Sequence, residues 1–267
     1  MGRRFILAKS KPSFAGDFIA SSGITNATIV DALVALDAEL TSYGLITYGG
    51  SSVIKALYPM VGGSASTHKL NFMDSRDLDA AFRLSFAGGW THASTGATPN
   101  GTNGYADTHF VPSVDASLNS IHLSYYSRTD NNTGDVEIGS YSAIGSETYT
   151  LIRFSDGKKY RSLNRGGYVG SGTITRTDGF MLGSRNNSST EEYYFRGSLV
   201  SSEGKSSSSA SSKSLFLGGY QNPSGISAAY TNRECAGASL GLGLNATQAG
   251  QLYTAIQNFN TALGRQV

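Results

Sequence analysis

Cysteine, charged residues and long apolar runs are all scarce in this sequence of 267 residues. The single cysteine, Cys235, excludes an intramolecular disulfide and most cysteine-based metal sites, and we predict that it is a small buried residue of a strand. Charged residues make up 15% of the chain and the formal net charge is +2, which is too small for a general nucleic-acid-binding protein. No apolar run approaches the ~20 residues of a membrane-spanning helix. We therefore expect no nucleic acid among the partners and no membrane insertion.

Glycine and tyrosine are abundant, with 33 and 15 copies, which favours many short strands joined by turns. Apolar and polar residues alternate from Phe82 to Phe86 and from Ile121 to Tyr126, as in half-buried strands. Two Asp-Gly pairs, Asp156-Gly157 and Asp178-Gly179, are flanked by strand-like stretches and predict hairpins. Because such strands recur without alternating helices, the sequence predicts an all-β fold, an antiparallel β-sandwich.

The last fifty residues predict a closing strand followed by a helix. Residues 233–242 alternate in a strand pattern, with Ala236, Ala238, Leu240 and Leu242 expected on one face. Asn245 and Gln248 have the spacing of a capping box at a helix start. The residues that then form one apolar stripe are Ala249, Leu252, Ile256, Phe259 and Leu263. Gly264 is expected to end this helix, which should pack onto the finished sandwich.

Several segments of the chain resemble a known family. They are residues 55–63 and 100–108, the Phe216-Leu217-Gly218-Gly219 segment, the Gly-Ala-Ser-Leu-Gly strand, and the stretch from Gly243 to Gln248 with Leu263-Gly264-Arg265. Together they resemble a concanavalin A-like, LamG-type domain, similar to those in virion proteins of tailed phages that infect Bacteroidetes. The resemblance covers roughly residues 52 to 265 and implies a jelly-roll β-sandwich. The same sandwich occurs in lectins, hydrolases and structural proteins, so the fold alone does not give the function.

Residues 1–51 are predicted to be an attachment and oligomerisation segment, separate from a sandwich of residues 52–267. The first twenty residues are basic and lack a period, so they are either a disordered terminus or an arm that orders on a partner. In the second case Phe5, Phe14 and Phe18 would be the anchors. A helix follows with Ile29, Leu33, Leu36 and Leu40 on one seam, which packs either on its own sandwich or on copies of itself. The attachment hypothesis uses all seven of these residues.

Catalytic and metal-binding patterns are weak. A glucanase needs two carboxylates on one face of a strand, and Asp135 and Glu137 are the only close pair of that kind. No serine-hydrolase elbow occurs in a strand-to-helix context, and the four histidines share no metal-ligand spacing. Asp107 is the best single candidate for a calcium ligand at the rim of the sandwich. We therefore expect no enzymatic activity, no cofactor and no metal.

Aromatic side chains leave a carbohydrate-binding role open. The rings that could stack on a sugar are those of Trp90, Tyr105, Tyr125, Tyr126, Tyr168 and Tyr193. Tyrosines in a β-sandwich also pack against neighbouring strands, and the sequence does not show which of these rings converge.

Taken with the resemblance, these patterns favour a structural protein of a phage virion. We expect it on the capsid surface, a head fibre or the tail, where it would be made in the bacterial cytoplasm, contact other virion proteins and form a homo-oligomer. The alternative is a carbohydrate-binding adhesin that recognises a host-surface glycan. A glycoside hydrolase is the third possibility.

Overall fold

The computed structural model describes residues 12–131, 135–151, 158–167, 169–173, 175–225 and 227–267. In these residues a 3-10 turn covers Asp79–Ala81. The α-helices are α1 (Phe14–Ser22), α2 (Ala27–Ser42), α3 (Ala65–His68), α4 (Pro112–Asp115) and α5 (Ala246–Ala262).

Strands form the rest of the regular structure. They are β1 (Ile54–Tyr58), β2 (Ser85–Ala87), β3 (Trp90–Ala93), β4 (Gly96–Pro99), β5 (Tyr105–Asp107), β6 (Ile121–Ser127), β7 (Ile138–Ser140), β8 (Glu147–Leu151), β9 (Lys158–Arg165), β10 (Val169–Thr173), β11 (Gly179–Arg185), β12 (Thr190–Phe195), β13 (Ser198–Gly204), β14 (Phe216–Leu217), β15 (Tyr220–Gln221), β16 (Ser227–Ala228) and β17 (Cys235–Gly241).

The strands make two sheets that face each other. One sheet has the order β13-β12-β11-β6-β17-β4-β3, with β1 paired to β17, and the other has the order β10-β9-β8-β7-β14-β5-β2, with β15 and β16 attached. The named strands pair antiparallel, apart from the parallel contact between β15 and β7. Side chains from both sheets form one buried cluster, which includes Leu123 and Leu240 of the first sheet and Ile138 and Leu217 of the second. The predicted antiparallel β-sandwich is confirmed, while its jelly-roll connectivity stays a prediction.

The predicted face pattern of the closing strand is wrong at its start. A register shift between Cys235 and Ala238 places Ala236 in the cluster on the helical side, while Ala238 and Leu240 join the cluster between the sheets. A bulge inserts one residue and therefore moves the following side chains to the other face. Cys235 is buried as predicted, and burial raises the pKa of its thiol to about 12.

The C-terminal helix follows its predicted pattern. The Asn245 side chain accepts a hydrogen bond from the Gln248 N–H at 2.9 Å, and the Gln248 side chain accepts one from the Asn245 N–H at 3.1 Å, which completes the capping box. Leu252, Ile256 and Phe259 are buried, and Leu263 is partly buried. The helix lies against the outer face of the sheet that contains β11, where Tyr253 contacts the ring of Phe180.

The N-terminal helices belong to the same body as the sandwich. Phe14, Phe18, Leu33, Leu36 and Leu40 are buried in one cluster with Leu252, Ile256 and Phe259 of α5, and with Phe180 and Leu182 of β11. Ile29 is partly buried against that cluster, and Phe5 lies outside the described residues. The chain itself therefore covers this seam. Of the two alternatives for the helix, the structure shows packing on its own sandwich, which corrects the attachment hypothesis for these buried residues.

Of the two predicted hairpins, the second is absent at its expected position. β10 ends at Thr173 and pairs with β9, whereas β11 begins at Gly179 and pairs with β6 and β12 of the opposite sheet. The carboxylate of Asp178, between them, is engaged by Arg176 and Arg196. The Asp178-Gly179 pair thus lies where the chain crosses from one sheet to the other. Local turn preference does not distinguish such a crossover from a hairpin within one sheet. The Asp156-Gly157 pair lies outside the described residues.

Candidate functional site

A cleft of about 490 Å³ opens between α1 and the loop of residues 72–76, and we call it the α1 cleft. Aromatic rings and polar side chains share its lining, including Phe14, Asp17, Tyr48, Phe72, Asp74 and Arg76. Its volume falls in the range of about 300–1,000 Å³ that small-molecule sites occupy.

Local capping and an apolar face hold α1 at the edge of this cleft. The helix begins where the Ser13 hydroxyl accepts a hydrogen bond from the Gly16 N–H at 3.1 Å, and it ends at Gly23 in the left-handed conformation. Phe14 and Phe18, one turn apart, pack on Phe72, with ring centroids 6.3 and 5.7 Å away. A neighbouring face of the helix then presents Asp17 to the cleft.

Tyr48 is the exposed aromatic residue of the cleft. It is 43% exposed, and its ring meets the ring of Phe14 edge-on at 5.1 Å. Its hydroxyl donates a hydrogen bond to Oδ2 of Asp17 at 2.6 Å. This bond to the carboxylate raises the pKa of Tyr48, because ionisation would place two negative charges side by side. The ring is therefore held in place by Asp17 while much of its surface stays open to solvent.

Charged groups lie on the other side of the cleft. Nε of Arg76 donates to Oδ1 of Asp74 at 2.8 Å, and Nη2 donates to the other carboxylate oxygen. The hydrogen bonds from Arg76 hold the pKa of Asp74 below its usual value. Nη1 of Arg76 has no hydrogen-bond partner among the described residues, and the arginine side chain is 67% exposed. The hydroxyls of Ser21 and Ser75 lie 2.9 Å apart and add further donors and acceptors.

The aromatic residues expected from the sequence do not meet at one place. Tyr125, Tyr126 and Tyr193 are fully buried in the core, and Tyr168 lies outside the described residues. Trp90 and Tyr105 are partly exposed and adjacent, with the indole N–H donating to the Tyr105 carbonyl at 3.0 Å. Tyr105 also stacks on Phe216, with ring centroids 4.5 Å apart.

Sequence reasoning did not single out Tyr48 as an exposed ring. The contact that positions it joins residues 31 apart, from Asp17 to Tyr48, and no local pattern reports such a contact. The Ser13 cap and the left-handed Gly23 were the available signals for α1, the helix that carries Asp17.

The acids considered for glycoside hydrolysis are not arranged for it. Glu137 is fully buried and ion-paired with the equally buried Arg233, whereas Asp135 is partly exposed. A glycosidase would need both carboxylates at the substrate, about 5–5.5 Å apart in a retaining enzyme. Asp107 accepts a hydrogen bond from the backbone N–H of His109 at 2.8 Å. Within the described ranges, no group of three or more His, Cys, Asp or Glu side chains could hold a metal ion.

Two histidines lie in buried surroundings. Nδ1 of His68 is 3.0 Å from Nδ1 of His92, and burial, then His92 and Arg265, lower the pKa of His68 to about 3. His122 is fully buried, with its ring nitrogens bonded to the Leu242 carbonyl and the Ser239 hydroxyl, and burial lowers its pKa to about 4. Both rings are therefore neutral at neutral pH.

No family model and no curated protein matches the chain. In structure the chain is similar to domain 4 of AbnA, a GH43 extracellular arabinanase from Geobacillus stearothermophilus, in complex with arabinotriose. The sequence identity is 12% and the TM-score is 0.52, and the match covers 74% of this chain and 97% of that domain. It is also similar to Trypanosoma rangeli sialidase in complex with the inhibitor DANA (identity 11%, TM-score 0.53), covering 85% of this chain but 37% of the sialidase chain. At these identities the likeness shows a shared fold.

None of the helices in the described part of the chain is both long and apolar enough to cross a membrane.

Proposed function

We propose that this protein binds carbohydrate, and that the α1 cleft holds one or more sugar units. One observation carries the proposal: a tyrosine ring that is 43% exposed, Tyr48, lines an open cleft together with the carboxylates of Asp17 and Asp74 and the guanidinium of Arg76. A sugar presents apolar C–H groups on its ring face and hydroxyls around its edge. It therefore needs an aromatic surface with hydrogen-bonding groups beside it, which is the combination found here.

The partners within the cleft leave hydrogen-bonding capacity for a ligand. The bond from Tyr48 uses Oδ2 of Asp17, and Oδ1 has no hydrogen-bond partner among the described residues. Asp74 engages Nε and Nη2 of Arg76, which leaves the Nη1 donors. Oδ1 can accept from a sugar hydroxyl, and Nη1 can donate to a hydroxyl or to a sugar carboxylate. The ordered ion pair and the Tyr48 contact reduce the entropy lost on binding.

The fold likeness adds support of a weaker kind. The arabinanase domain is described with arabinotriose bound, and the sialidase with the inhibitor DANA and, in another structure, with sialic acid. Those two saccharide classes are therefore the first probes for this chain.

A glycan array tests the proposal, with arabino-oligosaccharides and sialosides included. We expect the intact chain to bind at least one saccharide class, and Tyr48→Ala to weaken the affinity at least tenfold, which equals about 1.4 kcal/mol. Tyr48→Phe should lose less, because it keeps the ring and removes only the hydroxyl. Tyr43→Phe is the matched control, since the Tyr43 hydroxyl donates to Glu39 at 3.0 Å outside the cleft. Binding that survives Tyr48→Ala unchanged would contradict the proposal.

The virion interpretation is a separate proposal and rests on the family resemblance. It concerns where the protein acts, so it is compatible with saccharide binding at a particle surface. Mass spectrometry of purified phage particles tests it: the chain should be present at a fixed copy number per particle. If it oligomerises, a surface other than the seam of Leu33, Leu36 and Leu40 must mediate the contact, because that seam is buried within the chain.

A further inference from the structure

A serine and a histidine form a pair at the edge of the second sheet. The hydroxyl of Ser85, in β2, lies 2.8 Å from Nε2 of His109, just after β5. Both residues are partly exposed, with the His109 side chain 23% exposed. Ser85 is thus a hydroxyl within hydrogen-bond reach of a base and also within reach of solvent, the arrangement from which nucleophilic serines act.

Two carboxylates lie beside the same imidazole. Oδ2 of Asp107 is 4.0 Å from Nδ1, and Oδ1 of Asp79 is 3.3 Å from Nε2. Asp79 also accepts from Nε of Arg83 at 2.8 Å, so part of its charge is already balanced. Asp107 thus faces Nδ1, whereas Asp79 and Ser85 both lie at Nε2.

The backbone explains why these groups meet. Ser85 and Asp107 are directly opposite each other in the β2–β5 ladder, so their side chains stand on one face of the sheet. The Asp107 carboxylate accepts from the His109 N–H at 2.8 Å, and His109 has a φ of 57°, in the left-handed region. This conformation is uncommon outside glycine and is found at sites where a side chain must be aimed. Here it brings the imidazole over Ser85.

We propose that Ser85 is a nucleophile and His109 its general base, acting on carboxylic esters. The Ser85 oxygen attacks the ester carbonyl carbon while its proton passes to Nε2 of His109. The bond between the acyl carbon and the alkoxy oxygen then breaks, and the departing alcohol takes the proton from Nε2. Water then attacks the carbonyl carbon of the acyl-serine and gives one proton to Nε2. The bond between that carbon and the Ser85 oxygen breaks, the Ser85 oxygen takes the proton back from Nε2, and the carboxylic acid leaves. This activity goes beyond saccharide binding and does not depend on it.

A second serine–histidine contact in the same chain serves as a comparison for Ser85 and His109. Nε2 of His122 lies 3.1 Å from the hydroxyl of Ser239, so a second serine–histidine contact exists. Both of its members are fully buried. If proximity of serine and histidine were enough, both serines would react; if access also matters, only Ser85 does.

Labelling with a fluorophosphonate, located by peptide mass spectrometry, tests the proposal on the intact folded protein. We expect Ser85 to be labelled while Ser239 stays unmodified. Ser214 is a second control, because it is partly exposed and its hydroxyl bonds to Gln221 rather than to a histidine. His109→Gln should slow labelling of Ser85 about a hundredfold, the usual contribution of a general base. Ser85→Ala should abolish turnover of p-nitrophenyl acetate above the background rate, with an unchanged melting temperature.

The proposal is overturned if Ser85 reacts no faster than Ser214, or if His109→Gln leaves its rate unchanged. Either result shows that the hydrogen bond is structural only. Saccharide binding measured on Ser85→Ala keeps the two proposals apart, because loss of esterase activity with intact binding leaves the α1 cleft proposal standing.

Discussion

Arg233 and Glu137 form an ion pair from which solvent is fully excluded, in the region between the two sheets. Thr231 also donates to the same Glu137 oxygen at 3.4 Å, and Nη2 of Arg233 donates to the Asn131 carbonyl at 3.1 Å. The Arg233 carbonyl in turn accepts from the Tyr125 hydroxyl at 2.7 Å. The pair therefore links the residues just before β17 and β7 to each other and, through Tyr125, to β6.

Removing the charge of Glu137 should lower the stability of the fold. Glu137→Gln leaves the Arg233 guanidinium buried opposite a neutral group, and we expect a loss of about 3–5 kcal/mol in the free energy of unfolding. Asp77→Asn is the control, because Asp77 is half exposed and its pairs with Lys69 and Arg83 should contribute less than about 1 kcal/mol. Urea unfolding of both variants measures these losses in the free energy of unfolding. Similar losses would show that the buried ion pair contributes no more to stability than the exposed one.

A substitution of Phe259 measures how much the packing of α5 against the sandwich contributes to stability. It is 3% exposed, and its ring lies 5.4 Å from the Arg265 guanidinium. Phe259→Ala should cost roughly 3–5 kcal/mol, since it removes a buried aromatic side chain and leaves a cavity. Thr254→Ala, at an exposed position of the same helix, should change stability by less than about 0.5 kcal/mol. A loss below about 1 kcal/mol for Phe259→Ala would mean that the helix is peripheral.

Acid should destabilise the protein through two buried histidines. Burial lowers the pKa of His68 to about 3 and that of His122 to about 4, from 6.5 in an unfolded chain. Between these values the unfolded state binds more protons, so stability is full above pH 6.5 and is lost as pH falls towards 4 and then 3. At pH 5 each histidine should account for about 2 kcal/mol. His122→Gln should reduce the difference in unfolding free energy between pH 7 and pH 5, and an unchanged difference would exclude His122 as a source.

The burial of α2 predicts what happens when residues 1–51 are removed. A chain that begins at Ser52 lacks Leu33, Leu36 and Leu40, and so exposes their contacts on α5 and β11. We expect it to lose its cooperative melt or to aggregate. Leu36→Ala in the full chain tests the same contact without deleting a segment, with an expected loss of about 2–5 kcal/mol. A soluble, cooperative truncated chain would instead support the division at residue 51.

Local sequence patterns predicted the individual helices and strands better than they predicted which elements pack against each other. The α5 capping box and apolar stripe came directly from residues three and four apart, because a helix is a local structure. Strand pairing was harder to predict from local patterns. The Asp178-Gly179 pair is typical of a hairpin turn, but in the structure it lies where the chain crosses from one sheet to the other. Whether the seam of Leu33 and Leu36 faces its own chain or a partner is likewise a tertiary fact.

The candidate sites were less predictable still. Tyr48 and Asp17 are 31 residues apart, and Ser85 and His109 are 24 apart. Neither pair has a spacing that marks a motif, since tertiary packing of the helices in one case and strand pairing in the other brings the two residues together.

Mapping a bound saccharide on the folded chain tests the central claim most directly. Amide chemical shifts are recorded by NMR while the strongest ligand from the array, or arabinotriose in its absence, is titrated in. Saccharide binding at the α1 cleft predicts saturable shifts confined to residues 14–21, 48–49 and 72–76, with Tyr48→Ala removing them. No saturable shifts, or shifts centred instead on the surface of Trp90 and Tyr105, would contradict the account.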